Sequence, residues 1–252
     1  MVVEVNTAKY SGKVTLTQVV LTKKVLNTAV ILDINNNITP AATIILVTDA
    51  DGPPFGEPWE YAYVVWILIY LSRNSRPDIH FEVHQCSRFI HSPRISHSEA
   101  VNIICLYLVI TQGQGLTFNP NSEMKLDLYV DADFSGFCKR EYDQDPVCIN
   151  SINGYVMALV GFPFYWVSNM YTDNDLSTLD AEYISLFQDI HDLLTLRRFI
   201  QEVGTQLNMG FAYPTIIHSA VFEDKNGSLC FSKSPSTTQR KLHISVKCHF
   251  FR

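Results

Sequence analysis

The sequence lacks any apolar run long enough to cross a bilayer, which takes roughly 20 residues. Its longest apolar runs, Tyr61–Leu71 and Ile103–Ile110, are shorter than this and are typical of buried helices. The amino terminus has no basic region followed by a hydrophobic stretch, so no signal peptide is predicted. These absences predict an intracellular protein, in the cytoplasm or the nucleus, with no membrane partner.

Charged residues are scarce as well: 17% of the 252 residues are charged, whereas 47% are apolar. A chain of this composition can bury a sizeable core, in one large domain or in two small ones. The six cysteines, at positions 86, 105, 138, 148, 230 and 248, include no C-x-x-C pair. We therefore expect reduced and mostly buried thiols rather than disulfides or a zinc site.

The net charge of −6 taken alone argues against a nucleic-acid-binding protein, but the charges are unevenly distributed. Residues 121–224 carry sixteen acidic and five basic side chains, whereas residues 225–252 carry six basic side chains and no acidic ones. An acidic centre that holds metal, followed by a basic end that contacts phosphates, would explain this pattern. A solvated acidic surface with an incidental basic end explains it equally well.

The first 120 residues predict mainly helices, separated by loops that are rich in helix breakers such as Pro40 and the segment 51–58. A short strand signal, Lys13–Thr17, comes first. Helical patterns then cover Val19 to Val30, Trp59 to about Ser72, Arg76 to Phe89 and Ser96 to Thr111.

Beyond residue 124 the pattern changes to strands, so we place a domain boundary within residues 115–123. The run from Met124 to Asp131 alternates apolar and polar residues, which is typical of a half-buried strand. Two strands that Gly161-Phe-Pro joins as a hairpin, a long amphipathic helix and a further buried run are predicted next. They cover Gly154–Val160, Phe164–Ser168, Ser177 or Thr178 to Gly204, and Thr215–Glu223.

Three acidic residues lie where these predicted elements begin or end. Asp131 ends the first strand, Glu182 lies in the first turn of the long helix, and Asp224 follows the last buried run. If the two strand ends and the helix start meet, the three carboxylates would repel one another unless a cation lay between them. The trio therefore predicts phosphodiester hydrolysis assisted by a hard metal ion. The alternative is an unrelated set of surface acids.

Several motifs follow one another in a particular order along the chain. They are Tyr-Val-Asp-Ala-Asp-Phe-Ser-Gly (129–136), Gly-Tyr-Val-Met (154–157), Tyr-Trp-Val-Ser (165–168), Leu-Ser-Thr-Leu-Asp-Ala-Glu-Tyr-Ile-Ser-Leu (176–186) and Phe-Glu-Asp-Lys-Asn-Gly-Ser-Leu (222–229). Together they resemble the ribonuclease H domain of copia-type retrotransposon polyproteins. The preceding segments, including Leu-Ile-Tyr-Leu-Ser-Arg-Asn-Ser-Arg-Pro-Asp-Ile (68–79), resemble the end of the reverse transcriptase of the same family.

The resemblance implies an α/β fold in two parts. Residues 1–118 would form a mainly helical, thumb-like region that ends a reverse transcriptase. Residues 121–252 would form a ribonuclease H-like domain, truncated at its carboxyl terminus, with a mixed five-stranded sheet and flanking helices. The family motifs match Asp131, Glu182 and Asp224 as catalytic residues and metal ligands, although Asp133 shares a strand face with Asp131 and is the alternative at that position.

The resemblance also implies a cofactor and a partner. The cofactor would be Mg²⁺, with Mn²⁺ as an alternative, because carboxylates suit these hard ions. The substrate would be an RNA–DNA hybrid, recognised through its shape and 2′-hydroxyl groups, and other parts of the retroelement polyprotein are expected partners. The paired-aspartate motif of the polymerase palm is missing, so we expect no DNA synthesis.

The chain departs from the family pattern at two places that bear on activity. Many members carry a fourth acidic residue where this chain has Ser245, and the predicted helix at 96–111 has no Lys or Arg where the family usually has several. Two hypotheses therefore stand. The chain is a Mg²⁺-dependent ribonuclease H, or it is an inactive retroelement remnant with at most a binding role.

Two other residue sets have a structural and a functional interpretation. His80, His84 and Cys86 lie close together in sequence, but no recognised zinc-ligand spacing joins them to the cluster of His243, Cys248 and His249, so surface or core-edge histidines are preferred. The aromatic run Phe164–Trp166 could stack on nucleic acid, but we favour a packed central strand.

Overall fold

The structure is a computed structural model that describes residues 3–8, 12–29, 37–41, 46–56, 58–119, 125–133, 152–170, 178–207 and 217–223. The described residues divide into two compact units, the first reaching Asn119 and the second starting at Lys125. The division does not assign either unit to a family. The predicted identities of residues 1–118 and 121–252 therefore stay predictions at this point.

The described residues of the first unit form four helices and a small antiparallel sheet in the order β1-β2-β3. Two of the three strands, β1 and β3, were not predicted. Its elements are β1 (Glu4–Thr7), β2 (Val14–Thr17), α1 (Val19–Thr28), α2 (Tyr61–Asn74), a 3₁₀ turn (Pro77–Ile79), α3 (His80–Ser87), α4 (Ile95–Ile110) and β3 (Leu116–Phe118).

The two long apolar runs form the buried helices that the sequence predicts. Val64, Leu68 and Leu71 of α2 are fully buried, as are Val101 and Leu108 of α4. Each helix still has an exposed side, where Trp66 of α2 is 61% exposed and Ile110 of α4 is 43% exposed. Within the described residues, no helix has the length and apolarity needed to cross a membrane.

One buried arginine joins two parts of the first unit. Arg76 is only 2% exposed, and its guanidinium donates hydrogen bonds to Asp78 and to both the carbonyl and the hydroxyl of Thr111. Tyr107 donates a further bond to Asp78, at 2.8 Å. Since Thr111 follows the last turn of α4, Arg76 satisfies a carbonyl that the helix itself leaves unpaired. The cluster fixes the end of α4 against the 3₁₀ turn.

The imidazole of His97 is in a single tautomer and connects the start of α4 to the loop at Val47. Its Nδ1 accepts the backbone N–H of Arg94 at 3.0 Å, so its Nε2 carries the proton and donates to the carbonyl of Val47 at 2.8 Å. The imidazole also stacks on Phe89, with ring centroids 3.9 Å apart. Burial lowers the pKa of His97, in keeping with a neutral ring.

The second unit is a four-stranded sheet in the order β6-β5-β4-β7 with one long helix. Strands β4 and β7 pair in parallel, and the other two pairs are antiparallel. The fold is therefore mixed α/β, as predicted, but the described residues supply four strands to this sheet, so a five-stranded sheet is not confirmed. The elements are β4 (Lys125–Asp133), β5 (Ile152–Leu159), β6 (Phe162–Met170), α5 (Thr178–Gln206) and β7 (His218–Glu223).

The predicted hairpin exists, but its turn is shorter than Gly161-Phe-Pro. Val160 and Gly161 alone form it, with φ of 59° and 74°. Positive φ at both residues gives a turn whose twist matches that of the two strands. Pro163 lies in β6, next to a register shift between Met157 and Ala158. Proline fits there because β6 is an outer strand of the described sheet.

The core of the second unit lies between one face of the sheet and α5. Leu126, Leu128 and Val130 of β4 pack there with Leu186 and Leu193 of α5. These β4 residues are the apolar positions of the alternating run, so the alternation determines which face the helix covers.

Replacement of Arg76 by lysine should destabilise the first unit strongly. Lysine cannot reproduce the forked contact with Asp78 and Thr111, and Asp78 is partly exposed, so the loss should be near the lower limit for broken buried pairs, about 3 kcal/mol. Urea unfolding followed by circular dichroism measures it. The exposed Arg73→Lys is the matched control and should change the free energy of unfolding by less than about 0.5 kcal/mol. Equal effects of the two variants would contradict the role of Arg76.

The stability of the first unit should fall between pH 6.5 and about 4 because of His84. Burial, then the cations Arg88, His80 and Arg73, lower the pKa of His84 from 6.5 to about 4. The unfolded chain therefore binds more protons in this window, so the stabilisation is present above pH 6.5 and is lost as the pH falls. Unfolding midpoints measured across this range should depend less on pH in His84→Gln. Arg88→Gln should narrow the pH range over which stability is lost, because it removes one of the cations that lower the pKa of His84. If both variants had the same dependence of stability on pH as the wild type, the role of His84 would be disproved.

Candidate functional site

The first predicted ligand, Asp131, lies near the carboxyl end of β4 and is exposed. It lies opposite Gly154 of β5 in the sheet register. Alternation along the strand places Asp131 on the same face as Tyr129, whereas Val130 points to the core beneath α5. A carboxylate in this place is accessible to a cation or a substrate.

The third predicted ligand, Asp224, lies outside the described residues, but the strand before it is well placed. Strand β7 runs parallel to β4, with Leu128 opposite Val221 and Val130 opposite Glu223. Parallel neighbours have their carboxyl ends at the same edge of a sheet. The chain therefore leaves β7 beside the position where Asp131 lies on β4.

The second predicted ligand, Glu182, is the fifth residue of α5. With 3.6 residues per turn, this places it at the start of the second turn rather than in the first turn as predicted. The backbone of α5 is described from Thr178 onward, whereas the Glu182 side chain lies outside the description.

Two side-chain hydrogen bonds between α5 and β5 show the direction of the helix. Asn153 Nδ2 donates to Asp189 Oδ1 at 3.0 Å, and the Tyr155 hydroxyl donates to Asp192 Oδ2 at 3.0 Å. The later residue of β5 bonds the later residue of α5, so the helix runs in the same direction as β5. Since β5 is antiparallel to β4, α5 runs opposite to β4. The amino-terminal end of α5 is therefore at the end of the sheet where β4 and β7 finish.

The tyrosine is the donor in the second of these bonds. Burial, and then the hydrogen bond to Asp192, raise the pKa of the Tyr155 phenol far above its ordinary value. The hydroxyl therefore stays protonated and remains the donor in this contact.

The alternation of β4 limits how Asp131 and Glu182 can meet. Asp131 belongs to the face of the sheet away from α5, so a contact through the sheet is impossible. Asp189 lies beside the end of β4, because its partner Asn153 is opposite Ala132. Position 182 is seven residues, or about two turns, before Asp189 on the helix. A shared site would have to form around the strand ends rather than over a face of the sheet.

Comparison with known proteins identifies the family. The chain is 29% identical over 214 residues to the retrovirus-related Pol polyprotein from transposon RE2 of Arabidopsis thaliana. It is 31% identical over 192 residues to the retrovirus-related Pol polyprotein from transposon TNT 1-94 of Nicotiana tabacum. The chain belongs to the copia-type retrotransposon polyproteins.

The two matches cover 85% and 76% of this chain, but only 14% and 13% of the two transposon polyproteins. The copia-type chain thus spans a small part of the length of these relatives. It is also 30% identical over 136 residues to secreted RxLR effector protein 161 of Plasmopara viticola, a match that covers 54% of the chain and 90% of that protein. No protein-family model and no solved structure matches the chain.

The copia-type chain shows no histidine–cysteine metal site in the parts that the structure describes. No group of three or more His, Cys, Asp or Glu residues there could hold a metal ion. Cys86 and Cys105 are buried free thiols, as predicted, and burial raises the pKa of both. His80 Nδ1 lies 3.2 Å from the Ser72 hydroxyl. The predicted acidic trio is not covered by this finding, and neither are His243, Cys248 and His249, which lie outside the described residues.

The aromatic run of the copia-type chain is placed differently from the prediction. Phe164 packs against the core of the second unit, but Tyr165 is 48% exposed, and their strand β6 is an outer strand of the described sheet. The prediction of a packed central strand was therefore wrong. Tyr129 of β4 and Phe222 of β7 form an exposed aromatic pair, with ring centroids 4.8 Å apart.

The sequence reasoning also missed the buried pair of Asn153 and Asp189. Asp189 is 0% exposed, although its side chain is acidic. A signal was present, since Asp189 lies three residues after Leu186 and four before Leu193. This spacing puts it within the apolar stripe of α5 in the copia-type chain.

Proposed function

We propose that the second unit is a ribonuclease H-like nuclease that hydrolyses the RNA strand of RNA–DNA hybrids with Mg²⁺. The parallel pairing of β4 and β7 is the observation that carries the proposal. It brings Asp131, near the end of β4, and Glu223, at the end of β7, to one edge of the sheet, and Asp224 follows Glu223 in the sequence. The direction of α5 brings its amino-terminal end toward the same edge. The similarity to Pol polyproteins supports a retroelement origin for such a unit.

Asp131, Glu182 and Asp224 would hold the metal. Their donors are carboxylate oxygens, which are the ligands that Mg²⁺ and Mn²⁺ prefer, so this set fits the ion. Bound there, the ion would activate a water molecule and stabilise the leaving oxygen of the scissile phosphodiester. The protein's part is to keep the carboxylates ionised and close together at the strand ends, where a nucleic-acid backbone can approach.

A second candidate is an inactive retroelement remnant with at most a binding role. One observation favours it: the alternation of β4 puts Asp131 on the face of the sheet away from α5. If the chain does not bring Glu182 around the strand end, the carboxylates stay apart and no metal is held. Cleavage and metal binding distinguish the two candidates.

The first test is cleavage of a labelled RNA–DNA hybrid in the presence of Mg²⁺. Asp131→Asn should lower the rate by on the order of 100-fold or more, because an amide is a weaker and neutral ligand. Asp127→Asn is the matched control, since Asp127 lies on the same strand and the same face, and it should retain most of the rate. Circular dichroism spectra must show that all three proteins are folded. An inactive wild type that is fully folded would exclude the nuclease and leave the inactive remnant.

The second test is thermal stability against Mg²⁺ concentration. Metal that binds only the folded chain at about 100 times its Kd adds about 2.7 kcal/mol to the free energy of unfolding. The midpoint of the second unit should therefore rise by roughly 5 °C or more, and Asp131→Asn should remove the rise while Asp127→Asn keeps it. An equal rise in Asp131→Asn would place the metal elsewhere.

A further inference from the structure

The buried pair between α5 and β5 has a role that burial alone does not explain. Asp189 is 0% exposed and Asn153 is 5% exposed, and one hydrogen bond of 3.0 Å joins them. Asn153 Oδ1 is buried, and no residue in the described parts of the chain hydrogen-bonds to it. A buried carboxylate and an unpaired amide oxygen both cost free energy. Two apolar residues of similar volume would therefore give this position equal or greater stability.

A directional bond does what the surrounding apolar contacts cannot. The apolar residues of α5 pack on the sheet through contacts that have little directional preference, so they tolerate a shift of the helix along its axis. The bond from Asn153 to Asp189 is made at one axial position only, because it needs both its length and its angle. It also lies in the interior, where no water can replace either partner.

The place of this pair in the sheet connects it to the proposed site. Asn153 lies opposite Ala132, the residue after Asp131. Position 182 lies about two turns before Asp189 and on the same side of the helix, since seven residues complete nearly two full rotations. Of the two hydrogen bonds between α5 and β5, the one to Asp189 is therefore the nearer to the end of β4.

We infer that Asp189 is a positioning residue for the metal site. Its hydrogen bond with Asn153 sets how far α5 extends beyond the end of β4, and so where the backbone of Glu182 is held. The consequence for metal binding rests on the proposed function, whereas the anchoring of α5 does not. Asp189 does not itself contact the metal, so its negative charge is not required.

The test is the affinity of the full chain for Mn²⁺ alone, measured from the electron paramagnetic resonance signal of the free ion. Asp189→Leu should weaken binding by at least about 10-fold, the lower limit for loss of a residue that orients a metal ligand. Asp189→Asn should stay within about threefold of wild type, because its amide oxygen still accepts from Asn153. The double variant Asn153→Asp with Asp189→Asn exchanges the two groups and should restore binding in the same way.

Asp192→Leu is the matched control. It makes the same substitution one turn later on the same helix, where Asp192 also accepts a bond from β5 but is partly exposed. Binding should change by less than about twofold, because water can take the place of this partner. Equal weakening by Asp189→Leu and Asp192→Leu would overturn the inference. So would a loss in Asp189→Asn as large as that in Asp189→Leu, because the charge would then matter rather than the position.

Amide hydrogen exchange of residues 178–185 separates this inference from the proposed function. If the wild type binds no Mn²⁺, the proposed metal site fails, and exchange then decides the anchoring alone. Asp189→Leu should speed exchange in this segment by about 10-fold relative to Asp192→Leu, because α5 would lose the hydrogen bond to β5 that is nearer the end of β4. Equal exchange in folded variants would refute the anchoring as well.

Discussion

The parallel pairing of β4 and β7 is the constraint on which the second unit depends. Two strands that point the same way cannot be joined by a tight turn, so the chain must cross the sheet between them. Because β6 and β7 are the two outer strands of the described sheet, this crossing spans its full width. Helix α5 makes the crossing and covers the apolar face of β4 on the way. Core formation and the meeting of two strand ends are thus consequences of one pairing.

Each unit combines an apolar core with a buried charged side chain that joins distant segments. In the first unit, Arg76 connects the 3₁₀ turn to the end of α4. In the second, Asp189 connects α5 to β5. Apolar packing supplies most of the free energy in such units but allows several arrangements of nearly equal energy, whereas a buried polar contact selects one of them. This division suits a protein that must hold side chains from separate elements at fixed positions.

The sequence predicts most of the helices and the alternating strand correctly, because their signals are local. The apolar positions of α2 and α4 recur along each helix, and the alternation of β4 shows its buried face directly. The strands β1 and β3 were missed because their residues have no such pattern: β3 is three residues long and pairs with β2, about 100 positions earlier. Only the folded chain brings them together.

The candidate site, too, could be predicted from the sequence only in part. Local patterns were sufficient to propose Asp131 at a strand end and Glu182 near a helix start. The direction of α5 follows from the strands that it joins, because β6 ends at the same edge as β4 and β7 starts at the opposite edge. The contacts of Asn153 with Asp189 and of Tyr155 with Asp192 could not be predicted, since the partners are far apart in sequence. The alternation along β4 also predicts that Asp131 and Val130 point to opposite faces of the sheet. It does not show which of the two faces α5 covers. Pairwise contacts of this kind become visible only in three dimensions.

The proline in β6 has a consequence for self-association. An outer strand with a full row of free amide donors can recruit the strand of another molecule and start an aggregate. Pro163 has no amide hydrogen, and the irregular register beside it bends the strand where the hairpin begins. A second chain laid along this part of β6 would lose a bond and meet a twisted edge. The hairpin thereby carries its own protection against growth into a larger intermolecular sheet.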